Sequence, residues 1–214
     1  VKDNAQILVA GPAVVSRAFG KDFTKEELGG SDVHKKNGVT DNIADSEEDA
    51  FNQIKKFLSF FPANIYELPP KKDSKDEIDR SEKILEEIIP KDRKKTYEMR
   101  EIINLVVDDK DFFEISNFFG RGIITGFARL NGFSVGIFAN DSNFYAGSMT
   151  ADNAKKTTRF IKLCDQFNIP ILTIVDEPGF LIGKKAEEDA TILHGTEAVL
   201  AAADSSIPWC TLMV

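Results

Sequence analysis

The sequence predicts an α/β protein in which parallel strands are covered by helices. Two apolar stretches, residues 169–175 and 207–214, each begin with an Ile-Pro pair and each follow a helical pattern. Proline ends a helix and is tolerated at the first residue of a strand, so each pair marks the same switch from helix to strand. Strands that are apolar throughout and separated by a helix are typical of a largely parallel sheet buried on both faces.

Composition and charge exclude several classes of protein. The 214 residues are 42% apolar and 29% charged, with a net charge of −8. These proportions are typical of a globular protein. A net negative charge argues against a nucleic-acid partner or a polybasic membrane patch, and no apolar run approaches the roughly 18 residues of a membrane span. Cys164 and Cys210 lie in apolar patterns, which predicts reduced core thiols and a reducing compartment.

Residues 1–68 form the first block. A strand is predicted at Gln6–Ala10, followed by a Gly-Pro turn and a short helix, and residues 23–34 are interpreted as a loop. A helix is predicted at Ser46–Phe61, because acidic residues open it and Pro62 ends it. Apolar residues recur at intervals of three and four along one face of this helix; they are Phe51, Ile54, Leu58 and Phe61.

Residues 69–95 are predicted to be an exposed connector. The segment opens with two prolines, carries dense charge of both signs and has few large apolar residues. Such a composition indicates a solvated linker rather than a binding patch. One short helix is expected near Arg80–Ile89. Helical periodicity returns over Tyr97–Phe119 and is broken by a turn at Asp108-Asp109.

The third block, residues 96–214, contains the clearest elements. Asn131-Gly132 is a dipeptide suited to a tight turn, so Gly122–Ala128 and Phe133–Ala139 are predicted to form a hairpin. Alternating helices and strands follow. Their predicted ranges are helix Asp152–Phe167, strand Ile171–Val175, helix Ala186–Asp204 and strand Cys210–Val214. Because both ends of the sequence have the apolar pattern of strands, we expect it to be an internal portion of a longer protein.

The loop Asp-Glu-Pro-Gly-Phe at residues 176–180 is the best candidate for a site. It follows the carboxyl end of a predicted parallel strand, where ligands bind in open α/β sheets. Asp176 and Glu177 are adjacent and are expected to point in opposite directions, so we do not expect them to work as an acid–base pair. Asp176 as a turn former that binds loop amides is an equally good interpretation. Gly29-Gly30 and Gly147 also lie in loops that permit close backbone approach.

Motifs for other chemistry are missing from the sequence. Gly120, Gly122 and Gly126 have the wrong spacing for a dinucleotide loop, and the P-loop, nucleophile-elbow and HExxH patterns do not occur. His34 and His194 lack companions at ligand spacing, so no metal site is predicted. His194 is interpreted either as a hydrogen-bonded structural residue or as a pocket residue. These features favour a site that works through backbone dipoles and shape.

Four segments resemble the carboxyltransferase (β) subunits of biotin-dependent acyl-CoA carboxylases, most nearly those of the propionyl-CoA carboxylase type. They are FTKEELGGSDVH at 23–34, TYEMREIINLVVDDKDFFEI at 96–115, GIITGFARLNGFSVGI at 122–137 and KKTTRFIKLCDQFNIPILTIVDEPGF at 155–180. The resemblance implies a crotonase-like (ClpP/crotonase) fold of ββα repeats. It also implies parts of two consecutive domains: residues 1–68 would end the N-terminal, acyl-CoA domain, and residues 96–214 would begin the C-terminal domain on the carboxybiotin side.

The resemblance implies carboxyl transfer from carboxybiotin to the α-carbon of a short, propionyl-CoA-like acyl-CoA. The enolate would be held by backbone oxyanion holes. These loops are expected outside residues 1–214, so no catalytic side chain is assigned and this portion alone is expected to be inactive. The implied cofactor is biotin, as carboxybiotin on a carrier protein or domain. The implied partners are a biotin carboxyl carrier, a biotin carboxylase subunit and further copies in a dimer that builds a hexamer, in the bacterial cytoplasm or the mitochondrial matrix.

Two alternatives remain open at this point. The same chemistry run in reverse would suit the carboxyltransferase subunit of a biotin-dependent acyl-CoA decarboxylase. A non-catalytic scaffold or assembly module would follow if residues 1–214 were the complete gene product.

The resemblance also implies two groups of site residues. The active-site loop consists of Glu26, Glu27, Leu28, Gly29, Gly30 and His34. The carboxybiotin or substrate pocket consists of Gly147, Asp176, Pro178, Gly179, Phe180, Gly183, Glu187, His194 and Gly195. Asp189-Ala190 stand where the family usually has Gly-Gly, and Lys184-Lys185 replace small or polar residues, so the acyl preference stays open.

Overall fold

The fold is organised around a five-stranded mixed sheet. A computed structural model describes residues 1–92 and 95–214. The strands lie in the order β1-β2-β3-β4-β5; they are β1 Phe113–Ile115, β2 Ile123–Leu130, β3 Phe133–Asn140, β4 Ile171–Val175 and β5 Trp209–Met213. Strands β1 to β3 pair antiparallel, and β3 to β5 pair parallel. The predicted parallel sheet therefore forms its second half.

Helices precede the sheet in the chain and alternate with its last strands. Their ranges are α1 Pro12–Phe19, α2 Lys25–Gly29, α3 Ser31–Asn37, α4 Glu47–Leu58, α5 Met99–Val106, α6 Ala151–Gln166, α7 Lys184–Glu188 and α8 Thr191–Asp204. Short 3-10 turns lie at Lys83–Glu86, Asp108–Lys110 and Tyr145–Gly147. Within the described ranges, no helix is both long and apolar enough to cross a bilayer.

Strands β2 to β4 are buried on both faces of the sheet. Side chains from α5, such as Met99 and Ile103, pack with Ile124, Ile137 and Ile174 on one face. The other face is covered by α6 and by the residues that follow α4; its core includes Phe60, Phe127, Phe160, Cys164 and Ile171. Helices α6 and α8 pack side by side on this second face. This arrangement leaves the carboxyl ends of β4 and β5 at one edge of the sheet.

Two predictions for the first block are wrong. Gln6–Ala10 form no strand in the part of the chain that the structure describes; instead, the Ile7 amide donates to the Gly29 carbonyl at 3.0 Å. Residues 23–34 form helices α2 and α3 rather than a loop. The reason for the second error is a capping box, in which Thr24 and Glu27 bind each other's backbone amides and start a helix.

The predicted helix Ser46–Phe61 is shorter in the structure, and most of its apolar face is exposed. Ser46 caps the helix as expected, since its hydroxyl accepts from the Asp49 amide at 3.0 Å. However, Phe51, Ile54 and Leu58 are exposed, and the helix ends at Leu58. The contacts with the sheet are made by the aromatic residues Phe57, Phe60 and Phe61, which surround Phe127.

The connector is tied to the hairpin through hydrogen bonds. The Lys72 amide donates to the Gly132 carbonyl at 3.0 Å, and the Arg80 guanidinium donates to the Val107 carbonyl at 3.0 Å. The Asp108 carboxylate in turn accepts from the amides of Asn131 and Gly132 at 2.9 and 2.7 Å and so caps the predicted turn. The helix expected near Arg80–Ile89 is only the 3-10 turn Lys83–Glu86. Residues 93–94 of this segment lie outside the described residues.

The two cysteines differ in environment. Cys164 is buried in the core, as predicted, and burial raises the pKa of its thiol. Cys210 is exposed, so the prediction of a second core thiol is wrong. The reason is that every residue of β5 is exposed, although the strand has an apolar sequence. An apolar strand indicates burial only where both faces find a partner.

Candidate functional site

Two loops meet at the carboxyl ends of β3 and β4, and we call residues 144–149 and 176–181 the paired loops. The Met149 amide donates to the Gly179 carbonyl at 2.9 Å, and the Leu181 amide donates to the Met149 carbonyl at 2.9 Å. These bonds continue the parallel pairing beyond the regular sheet. The structure therefore brings together the Gly147 and DEPGF segments that the sequence singled out separately.

Gly147 is required by the close approach of the paired loops. Its φ is +77°, a left-handed conformation that favours glycine. A Cβ atom at this position would lie 2.7 Å from the Asp176 carbonyl oxygen. Any larger residue would therefore push the two loops apart.

Asn140, the last residue of β3, connects the paired loops through its side chain. It is fully buried. Its Oδ1 accepts from the Asp176 amide at 3.2 Å, and its Nδ2 donates to the Gly147 carbonyl at 3.2 Å. The sequence analysis missed this residue. The signal was available, because Asn140-Asp141 follow the apolar strand β3 at the same edge as the DEPGF loop.

Asp176 is held by a second residue that the sequence analysis missed. The Tyr97 hydroxyl donates to Asp176 Oδ2 at 2.6 Å. Burial, together with the nearby carboxylate, raises the pKa of Tyr97 well above its usual value, so the hydroxyl stays protonated as a donor. Asp176 is thus bound to an aromatic side chain rather than acting as a turn former.

Glu177 has a different environment from its neighbour. Its carboxylate lies 3.5 Å from Asn140 Nδ2, whereas that of Asp176 binds Tyr97. Burial raises the pKa of the half-buried Glu177 carboxyl, and the contact with Asn140 partly offsets this effect. The two carboxylates therefore have separate partners.

The outer end of the second paired loop forms one wall of a cavity of about 260 Å³, which we call the Phe180 cavity. It is lined by Phe180, Leu181, Ile182, Ala186, Glu187, Thr191 and Ile192. The walls are mainly apolar, with one carboxylate, that of Glu187. Such a cavity suits a small ring system with an apolar body and a polar edge. Phe180 and Glu187, two predicted site residues, meet here.

The position of Phe180 depends on helix α8. A Cβ atom on buried Gly195 would overlap the Phe180 ring, so this glycine lets the loop pack directly against the helix. Gly179 and Gly183 both have φ near +120°, and Gly183 precedes α7. Pro178, directly before Gly179, is exposed. The glycines predicted as site residues therefore shape the loop that carries Phe180.

His194 does not line the Phe180 cavity. Its Nδ1 lies 2.9 Å from Glu197 Oε2 on the same helix. Of the two interpretations of His194, the structure favours the hydrogen-bonded structural residue. The neighbouring break in the predicted helix Ala186–Asp204 falls at Asp189-Ala190, which separate α7 from α8.

Residues of the predicted active-site loop line a second cavity, of about 130 Å³. Its lining includes Ile7, Gly29, Gly30, His34 and Asn42. Because the Ile7 carbonyl can only accept, His34 Nε2 is the donor in their 2.7 Å hydrogen bond. Gly29 permits a close approach, since a Cβ atom there would overlap Ile7. We call residues 24–34 the Gly29 loop.

The other predicted residues of the Gly29 loop have structural contacts. Glu27 belongs to the capping box, and hydrogen bonds from the Thr24 backbone and side chain lower the pKa of its carboxyl. Glu26 accepts a hydrogen bond from the Gln6 side chain, and Leu28 is half-buried. Among the described residues, no hydrogen bond or ion pair joins the Gly29 loop to the paired loops. The structure therefore gives two separate candidate regions.

A family model and curated relatives match the full length of the sequence. Residues 1–214 match the model described as carboxyl transferase domain. The propionyl-CoA carboxylase carboxyltransferase subunit of Haloferax mediterranei is 38% identical over 214 residues, and the mitochondrial propionyl-CoA carboxylase beta chain of Mus musculus is 36% identical. The methylmalonyl-CoA decarboxylase subunit alpha of Veillonella parvula is 37% identical. Each match covers all of this chain, but the chain spans only 40–42% of these relatives' length.

Solved structures match equally well. A transcarboxylase 12S hexamer structure with methylmalonyl-coenzyme A and methylmalonic acid bound has a TM-score of 0.94 and 33% identity, covering 99% of this chain and 41% of that one. A single-chain, multi-domain long-chain acyl-CoA carboxylase has a TM-score of 0.85 and 25% identity, covering 99% of this chain and 21% of that one. The crotonase-like fold implied by the resemblance is confirmed.

Proposed function

The chain belongs to the carboxyl transferase domain family, and we propose that the full-length protein containing it transfers a carboxyl group from carboxybiotin to the α-carbon of a short, propionyl-CoA-like acyl-CoA. The proposal is carried by the match of all 214 residues to relatives named as carboxyltransferase subunits or beta chains of propionyl-CoA carboxylase. The chain corresponds to about two fifths of those proteins. Activity is therefore proposed for the full-length protein.

In this proposal, the Phe180 cavity receives the ring of carboxybiotin, which supplies the carboxyl group when bound. The cavity fits such a group, because its apolar walls suit the hydrocarbon part and the Glu187 carboxylate can accept from a ureido N–H. Phe180 and Ile182 would exclude water. Of the predicted pocket residues, Phe180 and Glu187 line this cavity, and we propose that Gly147, Asp176, Pro178, Gly179, Gly183 and Gly195 shape the segments around it. His194, which binds Glu197, is assigned a structural role.

Residues 1–68 are proposed to belong to the acyl-CoA domain and residues 96–214 to the carboxybiotin-side domain, with 69–95 between them. The Gly29 loop would then lie beside the acyl-CoA part of the site. Its members are Glu26, Glu27, Leu28, Gly29, Gly30 and His34. The cavity beside the Gly29 loop and the Phe180 cavity share no lining residue, which is consistent with two substrates that enter from different sides.

The proposed chemistry needs no side-chain base from residues 1–214. Asp176 is bound by Tyr97, His34 by the Ile7 carbonyl, and His194 by Glu197. We propose that the enolate of the thioester is stabilised by backbone amides in segments beyond residues 1–214. One preorganised donor of this kind contributes about 3–4 kcal/mol to transition-state stabilisation.

The proposed partners follow from the relatives. One matching transcarboxylase is described as a hexamer assembly, and we propose a dimer that builds a hexamer, served by a biotin carboxyl carrier and a biotin carboxylase subunit. Bacterial and mitochondrial relatives support the bacterial cytoplasm or the mitochondrial matrix as the compartment.

A decarboxylase subunit is the second candidate. The specific observation in its favour is the 37% identity to the methylmalonyl-CoA decarboxylase subunit alpha of Veillonella parvula. The transfer step would be the same in the opposite direction. Co-purification with a biotin carboxylase would support the first candidate, and co-purification with a membrane-bound decarboxylase subunit would support the second.

The experiment is a transfer assay with the purified full-length protein. Methylmalonyl-CoA and free biotin are supplied, and the release of propionyl-CoA is followed by chromatography, with malonyl-CoA and ethylmalonyl-CoA as alternative carboxyl donors. We expect biotin-dependent conversion of at least one thioester. If none is converted, with or without the biotin-carrying partners, the proposed function is wrong.

The Phe180 cavity is tested by replacing Phe180 with alanine in the full-length protein. We expect Phe180→Ala to raise the KM for free biotin about tenfold, because removing the ring opens the apolar wall. The matched control is Phe133→Ala, which removes an equally exposed ring at the hairpin turn, far from the cavity in the fold. Equal KM values for biotin in the two variants would contradict the assignment.

A further inference from the structure

We propose that Tyr97 and Asn140 are positioning residues that hold the paired loops in the shape that the Phe180 cavity needs to receive the biotin ring. This inference rests on the proposed function and adds to it. Neither residue contacts the lining of the cavity directly. Each acts through the first residue of the DEPGF loop, Asp176.

Asn140 sets the spacing of the paired loops at their inner end. Its side chain is fully buried; it accepts from the Asp176 amide and donates to the Gly147 carbonyl. A primary amide does both through two separate atoms, an acceptor oxygen and a donor nitrogen. The loss of the bond to the buried Gly147 carbonyl would leave that group unsatisfied, which costs more than the bond contributes. Asn140 therefore fixes the spacing of the paired loops at their inner end.

Tyr97 acts on the same residue from the other side. Its hydroxyl donates to the Asp176 carboxylate at 2.6 Å across 79 positions of sequence. The segment beginning at Tyr97 also binds the residue directly before the first paired loop, because Asn143 Nδ2 donates to Glu98 Oε1 at 3.0 Å. Asp176 is thus held at its backbone by Asn140 and at its carboxylate by Tyr97.

The position of Asp176 is transmitted to the cavity through main-chain bonds. Beyond Asp176, the paired loops are joined by the Met149–Gly179 and Leu181–Met149 bonds, so that they move as one unit. The unit ends in Phe180, which packs on Gly195 of helix α8 and forms the cavity wall. A shift at Asp176 would therefore displace the Phe180 ring.

The effect is expected to be selective for biotin. The Gly29 loop, which we assign to the acyl-CoA side, shares no hydrogen bond with Tyr97, Asn140 or the paired loops within the described residues. Loosening the paired loops should change the KM for biotin and leave the KM for the acyl-CoA unchanged. A purely structural role would affect both KM values and the thermal stability together.

The experiment compares Tyr97→Phe with Tyr66→Phe in the full-length protein. Tyr66 is 90% exposed at the end of the first block and serves as the matched control. Transfer from methylmalonyl-CoA to free biotin is measured, together with Tm. Because one hydrogen bond is lost, we expect Tyr97→Phe to raise the KM for biotin about threefold to tenfold. The KM for methylmalonyl-CoA should stay at its wild-type value, Tm should fall only by the few degrees that one hydrogen bond contributes, and Tyr66→Phe should behave as wild type.

Deuterium exchange tests the positioning role without relying on activity. Amides in 144–149 and 176–181 should exchange faster in Tyr97→Phe than in the wild type and in Tyr66→Phe. Asn140→Asp, which keeps the acceptor but loses the donor to Gly147, should show a larger effect in the same two segments. If Asn140→Asp fails to fold, the Tyr97→Phe comparison is sufficient by itself.

The outcomes separate this inference from the proposed function. A wild-type protein that transfers carboxyl groups, with Tyr97→Phe kinetically equal to Tyr66→Phe, would overturn the inference alone. So would a parallel change in both KM values and Tm. A wild-type protein without transfer would overturn the proposed function, and the exchange rates would still decide whether Tyr97 fixes the loops. Unchanged exchange in both segments would show that it does not.

Discussion

At the scale of single residues, Lys156 is a charged side chain that the core buries almost completely. It lies in α6 with 2% of its surface exposed, and its ammonium group donates to the carbonyls of Ser116 and Ile123 at 2.9 and 2.6 Å. Burial lowers the pKa of Lys156 to about 7, with smaller effects from Glu114, Arg100, Arg159 and Asp41. The unfolded chain should titrate this lysine near 10.4.

This difference predicts a pH-dependent stability. Between about pH 7 and pH 10 the unfolded state binds one proton more than the folded state, so Lys156 makes the free energy of unfolding rise with pH, by up to about 1.4 kcal/mol per unit. This gain in the free energy of unfolding is fully present above the pKa of Lys156 in the unfolded chain. It is lost as the pH falls to about 7, the pKa in the folded protein. We expect the free energy of unfolding of the wild type minus that of Lys156→Met to rise from pH 7 to pH 10 in urea denaturation.

Lys155→Met is the matched control, because Lys155 is a neighbouring lysine with an exposed side chain. Its stability should parallel that of the wild type over the same pH range. A constant difference between the wild type and Lys156→Met would contradict the lowered pKa.

Sequence reasoning at this scale found residues by their type and neighbours. Gly147, Gly179 and Phe180 could be found because glycine and a strand end mark a shaped loop. Asn140 was missed although it ends a strand at the edge that carries the DEPGF loop. Tyr97 could not be assigned a role in this way, because its partner Asp176 is 79 positions away. The site assignments themselves stay predictions until the variants are measured.

At the scale of elements, the junction between α7 and α8 departs from a continuous helix. Ala190 has φ +56° and ψ +43°, a left-handed conformation at the residue before α8. This conformation costs an L-residue with a Cβ atom about 1–2 kcal/mol relative to its normal helical state. Glycine adopts this conformation without that cost.

Ala190→Gly should therefore stabilise the protein by about 0.5–1 kcal/mol, after allowance for the greater freedom of glycine in the unfolded chain. The corresponding increase in Tm is about 1–4 °C for a chain of this size. Ala202→Gly, at an exposed helical position in α8, should instead destabilise the protein by up to about 1 kcal/mol. Thermal unfolding that shows the same sign for both variants would contradict the strain at Ala190.

Elements with strong local signals could be predicted closely. The hairpin, α6 and β4 lie within two residues of their predicted ends, because turn chemistry and periodicity agree there. The prediction of a strand at Gln6–Ala10 was wrong, because an apolar pattern does not reveal whether a partner strand lies beside the segment. Strand β1 was missed inside a segment with helical periodicity, and it is only three residues long.

At the scale of the whole molecule, the first block is joined to the sheet by polar contacts. Asn42 Nδ2 donates to the Glu114 carbonyl at 3.1 Å, and Arg159 donates to the Gly38 carbonyl at 2.6 Å. Asp41 binds both Arg159 and Ser116. These contacts hold residues of the two proposed domains against each other, although the candidate cavities remain separate.

Because the proposed oxyanion loops lie beyond residues 1–214, we expect purified residues 1–214 to show no detectable carboxyl transfer. The measurement is the methylmalonyl-CoA and biotin assay, with the full-length protein as the positive control. Circular dichroism would establish that the shorter protein is folded when it is assayed. Turnover by residues 1–214 alone would show that the catalytic amides were placed in the wrong part of the protein.

The reliance of the paired loops on main-chain bonds has a consequence for how this region can change. Side chains at exposed Pro178 and Ile182 can be exchanged without breaking the bonds that join the loops. Gly147 cannot be exchanged in this way, because a side chain there would overlap the Asp176 carbonyl. Asn140 cannot either, because it must both donate and accept a hydrogen bond. Random mutagenesis of this region should therefore leave the paired loops folded after changes at Pro178 or Ile182, although changes at Ile182 alter the cavity wall. Changes at Gly147 or Asn140 should disrupt the loops themselves.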